Sequence, residues 1–376
     1  KNGPFGSVLH AEDYVENGIP IVTTEHFKTG LMPSDKFGIP QVSNEDYIRL
    51  KGYRLETNDI VFSRVGSVDI NAHVGIEQNG WLFSGRVLRV RPKYDIDSLF
   101  LHYALSTEAV KRDIRNRAVG QTMPSINTPI LSSTTIQLPK DLFEQKKVAH
   151  FLRLLDERII TQNKIIEDLK KLKSAISKHL FARKDLLETT ICLSNIATLK
   201  NGYAFQSGKY NALGKWKILT ITNVSGERYI NDEDYNCIIN LPNDIQDHQV
   251  LKEGDILISL TGNVGRVSLC KDGDYLLNQR VGLLQLAKNV NQEFLYQILS
   301  SQRFENSMIA CGQGAAQMNI GKGDVESYVL PYSSNVNNIL LVAKILHSYD
   351  EYIINEQRKL TLLTMQKQYF LAQMFI

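Results

Sequence analysis

Two long stretches of the chain carry apolar residues at alternating steps of three and four. In residues 142–183 these positions are Leu152, Leu155, Ile159, Ile166, Leu169, Ile176 and Leu180. In residues 337–375 they are Leu346, Tyr349, Ile353, Leu360, Leu363, Phe370 and Met374. Neither stretch contains Gly or Pro, and apolar heptads sustained this long are typical of coiled-coil helices. We therefore predict two long helices over these ranges.

The sequence ahead of each predicted helix has a different texture, with short apolar runs separated by turn residues. Runs of this kind predict β-strands, at residues 19–23, 59–63, 87–91 and 134–138, and again at 217–222, 255–260, 281–286 and 328–330. One helix is predicted within each segment, at 97–116 and 291–308, with Asp97 and Asn291 placed to cap it. Strands and helices mixed in this way indicate compact α+β domains.

The second half of the chain repeats the first. Leu155-Asp156-Glu157 returns as Tyr349-Asp350-Glu351, and the loop Gly120–Ile126 returns as Gly314–Ile320, both 194 residues later. A period this long indicates a duplicated module, since solenoid repeats run about 20–50 residues. The fold class is therefore predicted as α+β, with two duplicated mixed α/β domains and two long helices that form an antiparallel coiled coil.

The predicted boundaries are 1–140 for the first domain, 141–184 for the first helix, 185–334 for the second domain and 335–376 for the second helix. We expect the first domain to be incomplete at its start, because the second copy has a lead-in that the first lacks.

Polar residues interrupt the predicted helical seam at matching places, Gln162 and Lys173 in the first helix and Glu356 and Lys367 in the second. An antiparallel register in which facing residue numbers add to 529 sets Lys173 opposite Glu356 and Gln162 opposite Lys367. Buried polar seam residues fix register and orientation. The alternative is that these groups lie at a seam edge and each helix packs on its own domain.

Composition narrows the function classes. The net charge of +3 is too small to indicate a nucleic-acid partner by itself, so any such surface must come from clustering. The four cysteines form no C-x-x-C pair, and no apolar run of about 20 residues is present. We expect a cytoplasmic protein without a membrane segment or metal site. No P-loop, dinucleotide fingerprint, nucleophile elbow or zinc-protease motif is present either, so we expect a chain that is not itself an enzyme.

Basic residues cluster in the first module. One group precedes the loop Gly120–Ile126, and a second alternates along a predicted strand, which would place it on one face; the groups are Lys111, Arg112, Arg115 and Arg117, and Arg86, Arg89, Arg91 and Lys93. Such patches suit phosphate contact, but solvated helix and sheet surfaces have the same composition. The loop Gly120–Ile126 and its copy contain Gln, Thr, Ser and Asn, whose side chains can read base edges by hydrogen bonding. The alternative is that both loops are structural turns.

In its whole architecture the chain resembles the specificity (S) subunit of type I restriction–modification systems. The motifs that carry the resemblance are Lys200–Phe205, Gly254–Ser259 with Gly262–Gly265, Gly120–Ile126 and Leu155–Ile159, and the order in which they recur is more specific than any one of them. Two departures are the shorter opening at Lys1–Phe5 and Ser67-Val68-Asp69 where the second copy has Gly265.

The resemblance implies an adaptor whose two target recognition domains each bind one half of a split, asymmetric site in double-stranded DNA. The paired helices act as a spacer, on which methyltransferase subunits dock, and a restriction subunit joins them. It implies no cofactor on this chain, with S-adenosylmethionine and ATP on the partner subunits. The DNA-binding candidates are Arg64, Arg86, Arg112, Arg115, Gln121, Thr122, Met123, Arg280, Gln313, Gln317 and Asn319.

Two other interpretations remain open at the level of sequence. A coiled-coil scaffold with duplicated α+β domains would bind protein, and would show no salt-dependent binding to duplex DNA. The chain would alternatively be a fragment of a fused restriction–methyltransferase polypeptide with its catalytic part elsewhere.

Overall fold

The computed structural model describes residues 1–4, 8–93, 95–312 and 318–375. It divides into two units. Unit 1 consists of Lys1–Asn163 with Lys359–Ile376, and unit 2 consists of Lys164–Arg358.

Unit 1 contains seven strands and four short helices in its described part, followed by the first long helix. The strands are β1 (Tyr14–Val15), β2 (Ile19–Val22), β3 (Gln41–Val42), β4 (Ile60–Ser63), β5 (Asn71–His73), β6 (Leu82–Phe83) and β7 (Val87–Val90). The helices are α1 (Asn44–Arg49), α2 (Ser98–Leu105), α3 (Glu108–Arg117), α4 (Thr128–Ser132) and α5 (Leu142–Ala182). One sheet has the order β1-β3-β2-β6 and the other β5-β4-β7.

Unit 2 repeats this plan with additional strands. Its strands are β8 (Thr189–Cys192), β9 (Ala197–Asn201), β10 (Trp216–Leu219), β11 (Asn236–Ile238), β12 (Ile256–Ser259), β13 (Val267–Leu269), β14 (Tyr275–Leu277), β15 (Val281–Leu286) and β16 (Val329–Tyr332). Its helices are α6 (Gln292–Leu299), α7 (Gln302–Gly312), α8 (Lys322–Glu326) and α9 (Val336–Met374). The sheet orders are β11-β10-β14, β13-β12-β15-β9 and β16-β8.

The duplication seen in the sequence is present in the fold. Helices α2, α4 and α5 start 194 residues before α6, α8 and α9, respectively. Strand registers correspond as well, since Ile60 of β4 faces Val90 of β7 and Ile256 of β12 faces Leu284 of β15. Every side chain of β4 and of β12 is buried, as expected for a strand at the centre of a covered sheet. The predicted α+β class is confirmed.

Each helix predicted within a domain is two helices in the structure. Asp97 and Asn291 do cap α2 and α6, accepting from the backbone N–H groups of Phe100 and Phe294. The break after α2 falls at Ser106 and Thr107, whose hydroxyls donate to backbone carbonyls of α2. Side chains that bond to the preceding turn in this way compete with continuation of the helix.

One predicted strand is absent, since residues 134–138 adopt no regular secondary structure. Its counterpart in the second copy is present as β16, which pairs with β8. The described part of unit 1 contains no strand that pairs with residues 134–138.

Helices α5 and α9 each contribute to both units. In unit 1 the first half of α5 packs on the end of α9, where the rings of Phe151 and Phe370 meet edge to face with centroids 4.9 Å apart. In unit 2 the second half of α5 packs on the start of α9, where Lys173 Nζ lies 2.6 Å from Asp350 Oδ1. The helices therefore run antiparallel, as predicted.

Two buried lysine–aspartate pairs mark the helix register. Lys173 pairs with Asp350 in unit 2, and Lys367 pairs with Asp156 in unit 1. The residue numbers add to 523 in both pairs, and the 194-residue repeat exchanges one pair for the other. The two aspartates are only 6% and 7% exposed, so both pairs belong to the seam.

The predicted register of 529 is therefore wrong, together with its pairing of Lys173 with Glu356 and of Gln162 with Lys367. A difference of six residues is about 9 Å along a helix. The prediction matched apolar with apolar positions and did not include the aspartates of the two Asp-Glu repeats in the seam. Two full ion pairs outweigh that match, because an unpaired buried charge costs several kcal/mol.

Candidate nucleic-acid interface

A junction of three chain segments presents the candidate loop of unit 1. The backbone N–H of Arg64, just after β4, donates to the carbonyl of Arg86, just before β7, at 3.0 Å. The carbonyl of Arg64 in turn accepts from Ile126 at 2.9 Å, and Gly66 donates to Pro124 at 2.9 Å. Two strand ends therefore hold the end of the loop Gly120–Ile126.

Backbone hydrogen bonds join the two ends of the loop, and its tip lies in solvent. Val119 and Ser125 exchange backbone hydrogen bonds of 2.9 and 2.8 Å across its base. Gly120 has φ +104°, and a Cβ there would lie 2.8 Å from the carbonyl oxygen of Met123, so the turn requires glycine. As a result Gln121, Thr122 and Met123 are exposed.

Unit 2 builds the same junction from equivalent residues. Leu260, after β12, donates to the carbonyl of Arg280, before β15, at 3.0 Å, and accepts from Ile320 at 2.9 Å. Gly262 donates to Met318 at 3.0 Å, and Asn319 is exposed. The candidates Gln313 and Gln317 lie outside the described residues.

The two best-placed arginines are equivalent in the repeat. Arg86 and Arg280 are separated by 194 residues, each is exposed, and each immediately precedes the strand that flanks the junction. In unit 1, Arg86 lies beside Arg64 at a cleft of about 590 Å³ that also reaches Ser125. Arg64 points its Nη1 at the carbonyl of Gly85, 3.0 Å away, so it supports the segment that carries Arg86.

Arg115 and Arg112 lie on α3 but differ in their surroundings. Arg115 forms ion pairs with Asp69 and Glu108, so its charge is largely neutralised within its own domain. Its assignment as a DNA contact is not supported by this geometry. Arg112 is exposed, and the described residues place no acidic group within ion-pair distance of it, so it is the better candidate for phosphate contact.

Two arginines of the basic run along β7, Arg89 and Arg91, bind acceptors of their own domain. Arg91 binds both carboxylate oxygens of Asp59 at 2.7 Å and also pairs with Glu56, while Arg89 donates to the carbonyl of Arg54. In this run the side chains of Arg86 and Lys93 are exposed, whereas those of Arg89 and Arg91 are partly buried. The alternation in the sequence predicted that these basic residues share one face of a strand. It could not predict that Asp59 and Glu56 pair with Arg91 on that face.

An aromatic pair adjoins Arg280, and sequence reasoning did not include it among the candidates. The carbonyl of Tyr203 accepts from the N–H of Gln279, the neighbour of Arg280, at 2.9 Å. The Tyr203 and Phe205 rings are 4.8 Å apart and line a cavity of about 440 Å³ with Lys209. The sequence could have indicated this pair through the motif Lys200–Phe205. The motif repeats the opening Lys1-Asn2-Gly3 and continues with Tyr203 and Phe205.

The geometry of the described residues also bears on metal binding and on membrane insertion. Among these residues no group of three His, Cys, Asp or Glu side chains is arranged to hold a metal ion. None of their helices is long and apolar enough to span a bilayer.

A duplicated α+β fold, with an exposed arginine beside the same backbone junction in each copy, defines a modular recognition protein. The model of the type I restriction modification DNA specificity domain matches residues 6–171 and 188–365. The two matches cover most of the chain and follow its internal repeat. The chain belongs to this family.

Known proteins agree with this assignment. The type I restriction enzyme MjaVIII specificity subunit of Methanocaldococcus jannaschii is 27% identical over 322 residues, which are 79% of this chain and 71% of that protein. The putative type I restriction enzyme MjaX specificity subunit of the same organism is 28% identical over 361 residues, 89% of this chain and 81% of that protein.

Two solved structures have the same fold. One is the type I restriction–modification S subunit from M. genitalium, with a TM-score of 0.56 at 17% identity over 100% of this chain and 93% of that chain. Another comes from work on complex assembly and conformational transition of the type I system, with a TM-score of 0.55 at 15% identity over 86% of this chain and 82% of that chain.

Proposed function

We propose that this chain reads a bipartite, asymmetric sequence in double-stranded DNA, with each junction contacting one half of the target. The observation that carries the proposal is the duplicated junction itself. Arg86 and Arg280 occupy equivalent exposed positions, whereas the neighbouring loop residues differ. Two readers that share a frame but not their side chains suit two different half-sites.

The exposed side chains have the chemistry for this task. Arginine binds the O6 and N7 acceptors of guanine in a bidentate manner, and Gln or Asn does the same at adenine N6 and N7. Gln121 at the loop tip of unit 1 and Asn319 beside the junction of unit 2 are such residues, and the hydroxyl of Thr122 adds a donor and an acceptor next to Gln121. Arg112 is placed to contribute the sequence-independent phosphate term.

The long helices would serve as the docking site for methyltransferase subunits. In unit 1, α5 and α9 line a groove of about 1090 Å³ that includes Leu154 and Leu363. Leu154 is 43% exposed, Leu362 65% and Met365 58%. A row of exposed apolar residues along a helix pair marks a protein contact, and helices of a partner subunit would cover it.

Methyl transfer and DNA cleavage are assigned in this proposal to partner subunits. The relatives are named as specificity subunits of restriction enzymes, which supports a non-catalytic role in a larger complex. S-adenosylmethionine would then be carried by the methyltransferase subunits and ATP by the restriction subunit. A protein with this role would act in the cytoplasm, where its target DNA is located.

The test is to map methylated bases across the genome of cells that carry the complete system. We expect one split motif for the unaltered chain. Exchange of residues 1–140 for the first domain of another family member should change one half of the motif and leave the other unchanged. A change in both halves, or no split motif with the unaltered chain, would overturn the proposal.

Salt dependence separates this proposal from a protein-binding scaffold. We expect affinity for duplex DNA to fall steeply as salt rises, because bound phosphates release counterions. A chain that binds its partner subunits but shows no salt-dependent DNA binding, alone or in the complex, would be a scaffold.

A further inference from the structure

The carboxylate of Asp350 accepts hydrogen bonds from three other parts of unit 2. On α9 it is 6% exposed, and it accepts from Lys173 Nζ of α5 at 2.6 Å. It also accepts from Gln297 Nε2 of α6 at 2.6 Å and from Arg228 Nη1 at 3.0 Å. Arg228 lies between β10 and β11, so two of the three donors come from the recognition domain.

Arg228 is fixed from its other side as well. Its Nη1 and Nη2 donate to the two carboxylate oxygens of Glu293 at 2.9 and 2.7 Å, and its Nη2 lies 3.0 Å from His347 Nδ1. The guanidinium is only 8% exposed. Bidentate, desolvated pairs of this kind are directional as well as strong. The network therefore fixes the orientation of Arg228 relative to α6 and α9, as well as its distance from them.

Unit 1 has a simpler version of the same site. The equivalent Asp156 pairs with Lys367 and accepts from the hydroxyl of Tyr103 at 2.7 Å. Leu99 stands where the second copy has Glu293. In the described residues no arginine reaches Asp156. The helix-to-helix pair is thus common to both units, whereas the arginine link to the domain is found in unit 2.

We propose that Asp350 is a positioning residue that holds the recognition domain of unit 2 at a fixed orientation on the helix pair, and so places Arg280 and Asn319 on the DNA. The inference rests on the proposed function. Loss of the network would let that domain pivot, so that half-sites at other separations become readable. Asp156 is linked to its own domain by the Tyr103 hydroxyl and by no arginine among the described residues, so its part in orienting that domain is weaker.

Charge reversal tests the difference between the two sites through thermal stability. In unit 1, Asp156→Lys should lower the Tm, and adding Lys367→Asp should restore most of it, because the pair re-forms with its sign exchanged. In unit 2, Asp350→Lys should lower the Tm, and adding Lys173→Asp should not restore it, since the new lysine would face Arg228. Equal rescue in both units would show that Arg228 is not coupled to Asp350.

The functional test uses the complete restriction–modification complex and maps methylated sites for Asp350→Asn beside Asp156→Asn. Asparagine has one acceptor oxygen for three donors at position 350, but it still accepts from Tyr103 at position 156. We expect Asp350→Asn to methylate sites with one base pair more or fewer between the half-sites, with discrimination reduced about tenfold or more. Asp156→Asn should keep one spacing.

Reduced methylation at an unchanged spacing would show a merely structural role and overturn the inference. If Asp350→Asn fails to assemble, Gln297→Leu removes one domain-side donor without adding charge, and it should broaden the spacing to a lesser degree. The unaltered chain separates the two hypotheses. Without a split motif the proposed function fails, whereas a split motif with one spacing in every variant refutes only the positioning role.

Discussion

The backbone geometry of the loop places Gln121 and Thr122 in solvent, and neither side chain is buried. The left-handed Gly120 and the hydrogen bonds between Val119 and Ser125 shape the loop, and the two side chains project from it into solvent. Substitution at the tip therefore removes a contact to DNA without removing support for the fold. This separation makes the loop suitable for tests of readout.

We expect Gln121→Ala to relax sequence preference at one or two positions of the target, by ~1–3 kcal/mol per lost bidentate contact. The matched variant Arg112→Ala should weaken binding to all sequences alike and reduce the slope of log affinity against log salt by about one. Competition binding over single-base target variants at several salt concentrations measures both. Unchanged preference in the Gln121 variant would make the loop a structural turn.

A buried histidine makes unit 1 sensitive to acid. His102 is 5% exposed, and since the Oδ1 of Asn71 can only accept, the Nδ1 of His102 carries the hydrogen of their 2.6 Å hydrogen bond. Burial, followed by the charges of His73, Lys367 and Lys111, lowers the pKa of His102 to about 3. Burial lowers the pKa of His73 as well. Both rings are therefore neutral in the folded protein at neutral pH.

Acidification should destabilise unit 1 through His102. The unfolded chain takes up a proton near pH 6.5 and the folded chain does not, so stability is full above that pH and falls between about 6.5 and 3. At pH 5 the loss from His102 alone is on the order of 2 kcal/mol. Fluorescence of Trp81 in a Trp216→Phe background should report it as a lower denaturant midpoint at pH 5 than at pH 7.5.

His102→Tyr is the control, because the second copy places Tyr296 at the equivalent position. The variant should lose most of the pH dependence whatever its absolute stability. An unchanged dependence would assign the effect to other groups.

At the scale of elements, the heptad pattern predicted the long helices well. The observed bounds of Leu142–Ala182 and Val336–Met374 lie within one residue of the expected 142–183 and 337–375, because neither stretch contains a helix breaker. The register could not be derived in the same way. It depends on Lys173 reaching Asp350 across the seam, and the spacing of apolar residues does not encode how far a lysine extends.

The candidate site was predictable to a similar extent. The repeat located both loops, and the tip of the loop in unit 1 is exposed as expected, whereas most of the loop in unit 2 lies outside the described residues. Arg115 and Arg91 were not separable from Arg112 and Arg86 in the sequence, since their partners Asp69 and Asp59 lie 46 and 32 residues away. Long-range ion pairs of this kind emerge only when the chain is folded.

Two neighbouring leucines of α5 should separate stability from partner binding. Leu152 is fully buried and Leu154 is 43% exposed. Leu152→Ala removes core contacts and should cost about 2–5 kcal/mol of unfolding free energy. Leu154→Ala should change stability little and weaken binding of the methyltransferase subunit, as measured by denaturant unfolding and by calorimetric titration. Normal subunit binding by both Leu154→Ala and Leu362→Ala would exclude the groove as the docking site.

At the scale of the whole molecule, duplication supplies two readers from one design, and later divergence makes them different. The junctions share three backbone hydrogen bonds at equivalent residues, while the Tyr203–Phe205 pair and the Arg228 network are described only in unit 2. A conserved frame with variable loops lets each half-site change independently. It also allows each junction to be tested with the other as its internal control.

Arg86→Ala and Arg280→Ala form that matched pair. Each removes an exposed guanidinium from one junction, so each should relax preference in one half of the target, by ~1–3 kcal/mol, and leave the other half as it was. Because the two residues belong to separate readers, their effects should add within about 0.5 kcal/mol in the double variant. Binding measured against targets mutated in the first half, the second half or both would decide this. If either single variant altered preference in both halves, or if the double variant departed strongly from additivity, the two junctions would read the target jointly and not one half each.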